Sequence, residues 1–311
     1  MKSFFRFATA AVLAVLAAAC SKSPDSMQSE VLVTMNISLP EIGTKAIADG
    51  KSVDQVRCIV FRNDKLISHN DVTKTIVMSG GKATYTTRLI SGQKYKFVFW
   101  AEVKGNAHYS VNYETATVTV SYGSAGNDET RDAFFNCVEY QVSDNATALD
   151  VKLKRPFAQL NYGLSAADKA LADAISPITK ATVSLDGGAY TKLNLSDGSV
   201  SVPASVPVVF SAAPVISSET LKVQPAGADK TVEYTYLSMN YILVNQEVTP
   251  NATLTLSDAA NATVATVKTS LVPLKRNYRT NIVGNLISEP AQINIVVDPA
   301  FNTPDNNKTV E

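Results

Sequence analysis

Few side chains in this sequence have the type and spacing that metal binding requires. The chain has two histidines, His69 and His108, and each lies in a polar, turn-like stretch. No His-x-His, Cys-x-x-Cys or His-Glu-x-x-His pattern occurs, so a transition-metal site has no support in the sequence. His69 could form a weak cation site with Asp64 and Asp71, but solvation of a polar loop is the better-supported interpretation.

A nucleophilic or acid–base centre is not indicated either. No Gly-x-Ser-x-Gly motif occurs, and Gly123-Ser124-Ala125-Gly126 lacks the strand–turn–helix context that a nucleophile needs. The carboxylates of Asp54, Asp128, Glu129 and Asp132 are scattered, and each is expected to cap a turn or lie at the surface. We therefore predict that the protein is not an enzyme and that it binds no metal and no cofactor.

Cys20 is the residue whose surroundings most clearly indicate a chemical modification. A basic start, with Lys2 and Arg6, precedes an apolar run much shorter than the roughly 20 residues that span a membrane. Such a start, followed by small residues before a cut site, is typical of a secretory signal. The run ends in Leu16-Ala17-Ala18-Ala19-Cys20, which resembles a lipobox. We predict that residues 1–19 are removed as a signal peptide and that Cys20 is lipidated.

The lipid on Cys20 would be the membrane attachment of the mature chain. Each buried CH₂ contributes about 0.8 kcal/mol, so several acyl chains anchor a protein permanently. Residues 20–29 are polar and typical of a flexible tether. We predict an outer membrane lipoprotein at the cell surface, although the tether lacks a dense acidic run and the periplasmic face stays open. An ordinary signal peptide with a chance cysteine is the alternative.

Composition narrows the class of protein and its partners. Lys and Arg together number 28, as do Asp and Glu, so no basic surface for nucleic acid is indicated. Charged residues are only 18% of the chain, and Thr, Ser, Asn and Val are abundant, which favours β-structure. An oxidising compartment would permit a disulfide between Cys58 and Cys137. Two free buried thiols are the favoured alternative, because both lie in apolar strand patterns.

Short strands must position these residues. Val31–Leu39 alternates one apolar face with a mostly polar face, and residues 95–101 are apolar on both faces, as in a central strand. Ala166–Ile175 is the only convincing helix outside the signal, and Pro177 ends it. Further short strands, separated by turns, follow on both sides of Pro156. This pattern predicts β-sandwiches.

We predict an all-β fold of two tandem β-sandwich domains, transthyretin- or immunoglobulin-like, with one short helix in the second. The N-terminal domain would cover residues 30–155 and the C-terminal domain residues 156–301, leaving a polar tail at 302–311. Among the aromatic residues, Trp100 lies in an apolar run and is expected in a core. Three tyrosines on irregular segments are the candidate surface contacts, namely Tyr109, Tyr113 and Tyr122.

Four sequence segments, taken in order, resemble a known family. They are Phe99-Trp100-Ala101, residues 153–161 (LKRPFAQLN), residues 276–286 (RNYRTNIVGNL) and residues 293–301 (INIVVDPAF). Together with the lipobox, this set resembles the fimbrillin-like lipoproteins of Bacteroidales, the type V pilin superfamily and its uncharacterised relatives. The resemblance implies two transthyretin-like sandwiches that assemble by strand exchange.

The resemblance also implies a cleavage residue and a role. In the pilins a trypsin-like protease cuts after a basic residue behind the first strand, and a strand from a neighbouring subunit fills the opened groove. Lys45 stands at that place here, with a solvated loop lysine as the alternative. The donor would be Ile293–Val297, or Val31–Leu39 retained in an anchor subunit.

We expect a structural or adhesive subunit that associates with itself or other pilin-like subunits. The alternative is a monomeric surface module that binds glycan or protein.

Overall fold

The structure is a computed structural model that describes residues 29–40, 50–225, 227–288 and 291–298. The predicted signal peptide, Cys20, Lys45 and the polar tail lie outside the described residues. Within the described ranges, no helix is both long enough and apolar enough to cross a membrane.

The described chain is built from strands with one α-helix, as predicted. The strands before Pro156 are β1 (Glu30–Ser38), β2 (Gln55–Arg62), β3 (Lys65–Leu66), β4 (Lys74–Val77), β5 (Lys82–Ile90), β6 (Lys94–Glu102), β7 (Tyr109–Asn112), β8 (Thr117–Val120), β9 (Phe134–Gln141) and β10 (Thr147–Lys152). The strands after it are β11 (Phe157–Leu164), β12 (Lys180–Leu185), β13 (Tyr190–Asn194), β14 (Val200–Pro203), β15 (Val208–Pro214), β16 (Ile216–Val223), β17 (Val232–Leu243), β18 (Glu247–Val248), β19 (Ala252–Ser257), β20 (Thr263–Thr269), β21 (Leu274–Lys275), β22 (Arg279–Asn285) and β23 (Gln292–Asp298).

The helix α1 (Ala166–Ile175) has the bounds that the sequence predicts. Ser165 caps it by accepting a hydrogen bond from the Asp168 backbone N–H at 3.2 Å. The Asp168 carboxylate is buried and accepts the backbone N–H of Ile287 at 2.8 Å, which ties the helix to the end of β22. A short 3₁₀ turn, Glu129–Arg131, precedes β9.

Two sheets enclose the core of the N-terminal part, here called the proximal core. One has the order β10-β1-β5; the other has the order β3-β2-β6-β9, with β4 paired to β2. Alternate residues of facing strands fill the space between them, which is the packing of a β-sandwich. The proximal core includes Val33, Met35, Tyr85, Phe97 and Phe99, none of which is exposed.

Two further sheets enclose the core of the C-terminal part, here called the distal core. Their orders are β16-β17-β11-β22-β23 and β15-β12-β19-β20. β11 lies at the centre, antiparallel to β17 and parallel to β22. The distal core includes Leu160, Tyr162, Phe210, Ile242 and Leu254.

A further sheet, of four strands, joins the two parts of the chain. Its order is β14-β13-β8-β7, so a hairpin from the N-terminal part pairs with a hairpin from the C-terminal part, with Lys192 opposite Thr119. This sheet adds to a third core, the junction core, whose members include Phe61, Trp100, Phe135, Phe157, Leu193, Met239 and Tyr241. The domain boundary at Pro156 stays a prediction, because strands from both sides of it share one sheet.

The junction core explains why β6 is apolar on both faces. Phe97 and Phe99 point into the proximal core, while Val98 and Trp100 point into the junction core. Trp100 has no exposed surface, so its predicted place in a core is confirmed.

The two cysteines in the described part of the chain, Cys58 and Cys137, are both free. Cys58 on β2 belongs to the proximal core, whereas Cys137 on β9 packs against the junction core on the opposite face of the same sheet. β2 and β9 flank β6, so they are two strand spacings, about 10 Å, apart, which is too far for a disulfide. Burial raises the pKa of the Cys58 thiol, which keeps it protonated and unreactive.

Candidate functional site

The first strand is an inner strand of its sheet, paired on both edges. β1 lies between β5, with which it pairs antiparallel from Glu30–Ile90 to Ser38–Lys82, and β10, with which it pairs in parallel. We call this position between β5 and β10, with the core beneath it, the β1 slot. Because both edges of β1 are paired, removal of β1 would leave two strand edges without their partners.

The β1 slot buries one face of β1 completely. The inward residues are Val31, Val33, Met35, Ile37 and Leu39, and none is more than 8% exposed. Full burial of such an aliphatic side chain stabilises the fold by about 1.5–3 kcal/mol. Removal of β1 would therefore open an elongated apolar groove, and a segment with the same alternation of side chains could cover it.

The ends and the outer face of β1 make additional bonds. The Leu39 N–H donates to the Gly81 carbonyl at 2.8 Å, and the Leu153 N–H donates to the Ser38 carbonyl at 2.8 Å. On the solvent face, Asn36 Nδ2 donates to Asp150 Oδ1 at 3.0 Å, across the pairing with β10. Lys45, the candidate cleavage residue, falls in the connection from β1 to β2, outside the described residues.

The last described strand forms an edge of the C-terminal part. β23 pairs with β22 in antiparallel orientation, and β23 is the final strand of its sheet. Ile295 and Val297 are each 39% exposed on it. An apolar strand with one unpaired edge is suited to pair with a further strand.

The three candidate contact tyrosines pack into the junction. The Tyr109 ring lies 5.2 Å from the Trp100 ring and 5.6 Å from the Phe157 ring, and its hydroxyl donates to the Arg131 carbonyl. Tyr109 lies on β7, a strand that the sequence did not indicate. Burial raises the pKa of Tyr109 well above its usual value.

Tyr122 and Tyr113 also have internal partners. The Tyr122 hydroxyl donates to the Tyr190 carbonyl at 3.0 Å and accepts the Leu243 N–H at 2.9 Å, so it links β13 to β17. The Tyr113 hydroxyl accepts from Arg57 Nη1 at 3.1 Å. Binding through Tyr109, Tyr113 and Tyr122 stays a prediction, and their described contacts assign them a packing role.

A buried ion pair lies close to the junction. Arg155 Nε lies 2.5 Å from Asp132 Oδ1, and Arg155 Nη2 lies 2.6 Å from Asp132 Oδ2; both side chains are fully buried. The guanidinium also stacks 4.6 Å from the centre of the Phe134 ring. Burial alone would lower the pKa of Arg155, but the Asp132 carboxylate outweighs it and raises the pKa.

The expectation that the Asp132 carboxylate lies at the surface is therefore wrong, although the Asp132 backbone N–H closes the 3₁₀ turn by donating to the Glu129 carbonyl. The Asp132 carboxylate faces an arginine 23 positions later in the sequence. The sequence signal for a buried ion pair was Arg155 itself, which lies in a short stretch between the apolar residues Leu153 and Phe157. A charge in such a position is rarely buried without a partner.

His108 and Asp128 form a hydrogen-bonded pair, here called the His108–Asp128 clamp, rather than a nucleophilic site. His108 Nε2 lies 2.7 Å from Asp128 Oδ2, and this contact is the main reason that the pKa of Asp128 is well below its usual range. Asp128 also caps the 3₁₀ turn by accepting the Thr130 N–H at 2.9 Å, as expected for a turn carboxylate. Ser124 Oγ is 3.5 Å from His108 Nδ1 and accepts from Arg131, so the hydroxyl is not activated.

The loop that carries this clamp reaches the C-terminal part. Asn127 Nδ2 donates to the Pro214 carbonyl at 2.7 Å, and Asn127 Oδ1 accepts the Met239 N–H at 2.6 Å. Asn127 has a φ of 58°, a conformation that Asn tolerates better than most residues. One side chain thus bonds to both β15 and β17.

No group of three or more His, Cys, Asp or Glu in the described part of the chain could hold a metal ion. His69 Nδ1 lies 3.6 Å from Asp71 Oδ2 in an exposed loop. Asp64 instead pairs with Lys96 at 2.9 Å. The three residues of the proposed weak cation site therefore do not converge.

Solved structures with a similar fold come from Bacteroidales. One, described as a "putative cell adhesion protein" from Bacteroides uniformis, has a TM-score of 0.55 at 9% identity and covers 88% of this chain and 99% of its own. Another, described as "putative polysaccharide binding proteins" from Bacteroides thetaiotaomicron, has a TM-score of 0.50 at 13% identity and covers 87% and 96%. The tip fimbrial protein Mfa3 from Porphyromonas gingivalis has a TM-score of 0.46 at 11% identity and covers 87% and 99%.

These identities are low, so the likeness establishes the fold and the expected resemblance to this group of Bacteroidales proteins. A comparison with curated proteins gives no match. The sequence model of a family of unknown function (DUF6562) matches residues 24–311, and the chain belongs to that family.

Proposed function

We propose that this protein is a cell-envelope lipoprotein that acts as a fimbrillin-like structural or adhesive subunit. It is held in the outer membrane by a lipid on Cys20 and associates with copies of itself or with other pilin-like subunits. The observation that carries this proposal is the placement of β1, a complete inner strand joined to β2 by the segment that contains Lys45. An inner strand next to the anchor can be exchanged without breaking any later part of the chain.

Cleavage after Lys45 would leave β1 bound only by non-covalent contacts. An incoming strand would then compete for the hydrogen-bonding edges of β5 and β10 and for the apolar floor of the β1 slot. The released body would also lose its covalent link to Cys20, so cleavage would couple assembly to departure from the membrane. A copy that is not cut would retain its anchor.

The experiment is proteolysis of the lipid-free mature protein at Lys45. Limited trypsin treatment should remove the N-terminal segment and produce oligomers that resist SDS without heating. The variant Lys45→Gln should stay uncut and monomeric, whereas the matched variant Lys51→Gln should behave as the parent does. If the trimmed parent stays monomeric at high concentration, or if cutting occurs elsewhere, assembly by this route is wrong.

A second candidate function is capture of glycan or protein by the uncut monomer. A cleft of about 440 Å³ lies between the loop at Ala125–Asn127 and the corner of β15 and β16, lined in part by Ile216, Ser217 and Ser218. Its volume lies in the range of small-ligand sites. Saturable binding of oligosaccharides by uncut protein, lost in Ser218→Trp and kept in Ser110→Trp, would favour this candidate; equal binding by both variants would exclude the cleft.

A further inference from the structure

The inner face of the β1 slot limits the register of a strand only partly. Its occupants are Val31, Val33, Met35, Ile37 and Leu39, all aliphatic and all buried. A slip by one residue would turn these side chains to solvent and is excluded. A slip by two residues would keep an aliphatic side chain at nearly every inward position, so the apolar face discriminates weakly against it.

The solvent face of β1 supplies the discrimination between registers that the inner face lacks. Asn36 stands directly opposite Asp150 in the parallel pairing of β1 with β10, and its amide donates to the carboxylate at 3.0 Å. A two-residue slip would bring Thr34 or Ser38 opposite Asp150 instead. Their hydroxyls are shorter than the Asn amide and would not reach to the same place, so the bond reports the correct register.

We infer that Asp150 is a specificity-determining residue of the β1 slot, selecting strands with a side-chain amide at the position of Asn36. This inference rests on the proposed strand exchange and names the class of strand that the slot admits. The strand must carry an amide between two inward aliphatic residues, with a further aliphatic residue two positions later. A carboxylate at the amide position would be rejected, because two like charges would then lie opposite each other.

Among the described strands, β23 also has that pattern. Ile293-Asn294-Ile295 in β23 repeats Met35-Asn36-Ile37 in β1, and Val297 then corresponds to Leu39. Placed in the β1 slot in the direction of β1, β23 of a second copy would point its three aliphatic residues inward and set Asn294 opposite Asp150. Ile295 and Val297 are partly exposed in β23, so they have apolar surface still to bury.

The test uses the lipid-free mature chain with a specific protease site inserted after Lys45. After cleavage, labelled peptides compete with the nicked β1, and release of the N-terminal fragment is measured by mass spectrometry. The peptides are residues 30–39, residues 291–298, and the latter with Asn294→Ala or Asn294→Asp. A charge-assisted hydrogen bond at an exposed site corresponds to roughly a three- to tenfold preference for the parental peptide over the Asn294→Ala peptide. Asn294→Asp should bind more weakly still.

A double-mutant cycle assigns that preference to Asp150. In the Asp150→Ala protein, the parental peptide of residues 291–298 and its Asn294→Ala form should compete within twofold of each other, whereas Asp150→Asn, which retains an oxygen acceptor, should keep part of the preference. Lys152→Ala, two residues along the same face of β10, is the matched control and should keep all of it. The inference is overturned if the Asp150→Ala protein keeps the full preference for the parental peptide over its Asn294→Ala form. It is also overturned if the parent protein shows no such preference. Both results would leave strand exchange intact. If the peptide of residues 30–39 itself fails to rebind, both the exchange and the role of Asp150 are wrong.

Discussion

The β1 slot and the junction are both buried apolar interfaces, but different interactions hold them together. β1 is held by main-chain hydrogen bonds and by five interchangeable aliphatic side chains. The junction is held by particular side chains, including Asn127, which bonds to β15 and β17, and Tyr122, whose hydroxyl links β13 to β17. The main-chain bonds and the aliphatic contacts of β1 depend on its alternation of side chains, and only the Asn36–Asp150 bond depends on one residue type; the junction contacts depend on individual residues throughout.

Under the proposed strand exchange, this difference divides the molecule into an exchangeable part and a permanent part. Loss of β1 would remove side chains from the proximal core alone, because none of its inward residues belongs to the junction core. The shared sheet and the buried ion pair would stay in place. We therefore expect the two parts of the chain to keep their mutual orientation through a strand exchange.

The largest effect is expected from breaking the buried ion pair. Arg155→Met should lower the free energy of unfolding by about 3–5 kcal/mol, since it leaves the Asp132 carboxylate buried without its counter-charge. Urea denaturation measures this loss. The exposed i,i+4 pair Lys169–Asp173 is the control, and Lys169→Met should cost less than about 0.5 kcal/mol. Equal losses in the two variants would contradict a special role for the buried pair.

A slightly smaller effect is expected in the β1 slot. Met35 is fully buried, so Met35→Ala should lower the free energy of unfolding by about 2–4 kcal/mol. In a chain nicked after Lys45, the same change should also speed the release of β1, which native mass spectrometry follows over time. Leu32→Ala, on the solvent face of the same strand, should change both quantities little. Release at the parental rate in Met35→Ala would show that the inward side chains do not hold β1.

The sequence predicted the elements better than it predicted their association. The α1 bounds and the two-faced burial of residues 95–101 follow from local patterns, and both are confirmed. β7 was missed because four residues with two partly buried positions carry little periodicity. Its hairpin pairs with β13, more than 70 positions later, and no local pattern indicates such a partner.

The candidate site shows the same contrast between its elements, which local patterns predict, and their association, which they do not. The alternation of Val31–Leu39 indicates a half-buried strand, and the family resemblance indicates that this strand is the exchangeable one. Neither indicates that β1 lies between β5 and β10, because strand order is a long-range property. The partner of Arg155 was equally hidden, since a buried charge signals that a counter-charge exists without identifying Asp132.

A moderate effect is expected from the hydroxyl that bridges the junction. Tyr122→Phe keeps the ring against Phe210 but leaves the Tyr190 carbonyl and the Leu243 N–H without this partner. The expected loss is about 1–3 kcal/mol, the range for unsatisfied buried groups. Thermal unfolding measures it. Tyr140→Phe is the control, because the hydroxyl of the half-buried Tyr140 donates to the Thr147 hydroxyl rather than bridging two main-chain groups. A Tyr122→Phe protein as stable as the parent would show that water replaces the bridge.

The smallest effect is expected from the His108–Asp128 clamp, and it should depend on pH. Because the folded protein lowers the pKa of Asp128, this carboxylate contributes stability at pH values above its unfolded pKa of about 3.9. That contribution should fade as the pH falls from about 5 through the lowered folded value. Asp128→Asn should therefore cost up to about 1 kcal/mol at pH 7 and nothing at the acid end, because the clamp is partly exposed. Urea denaturation at pH 7, 4 and 2 measures the difference between variant and parent. A difference that stays constant over this range would mean that Asp128 acts through packing, and its charge would then have no part in holding the loop that joins the two parts of the molecule.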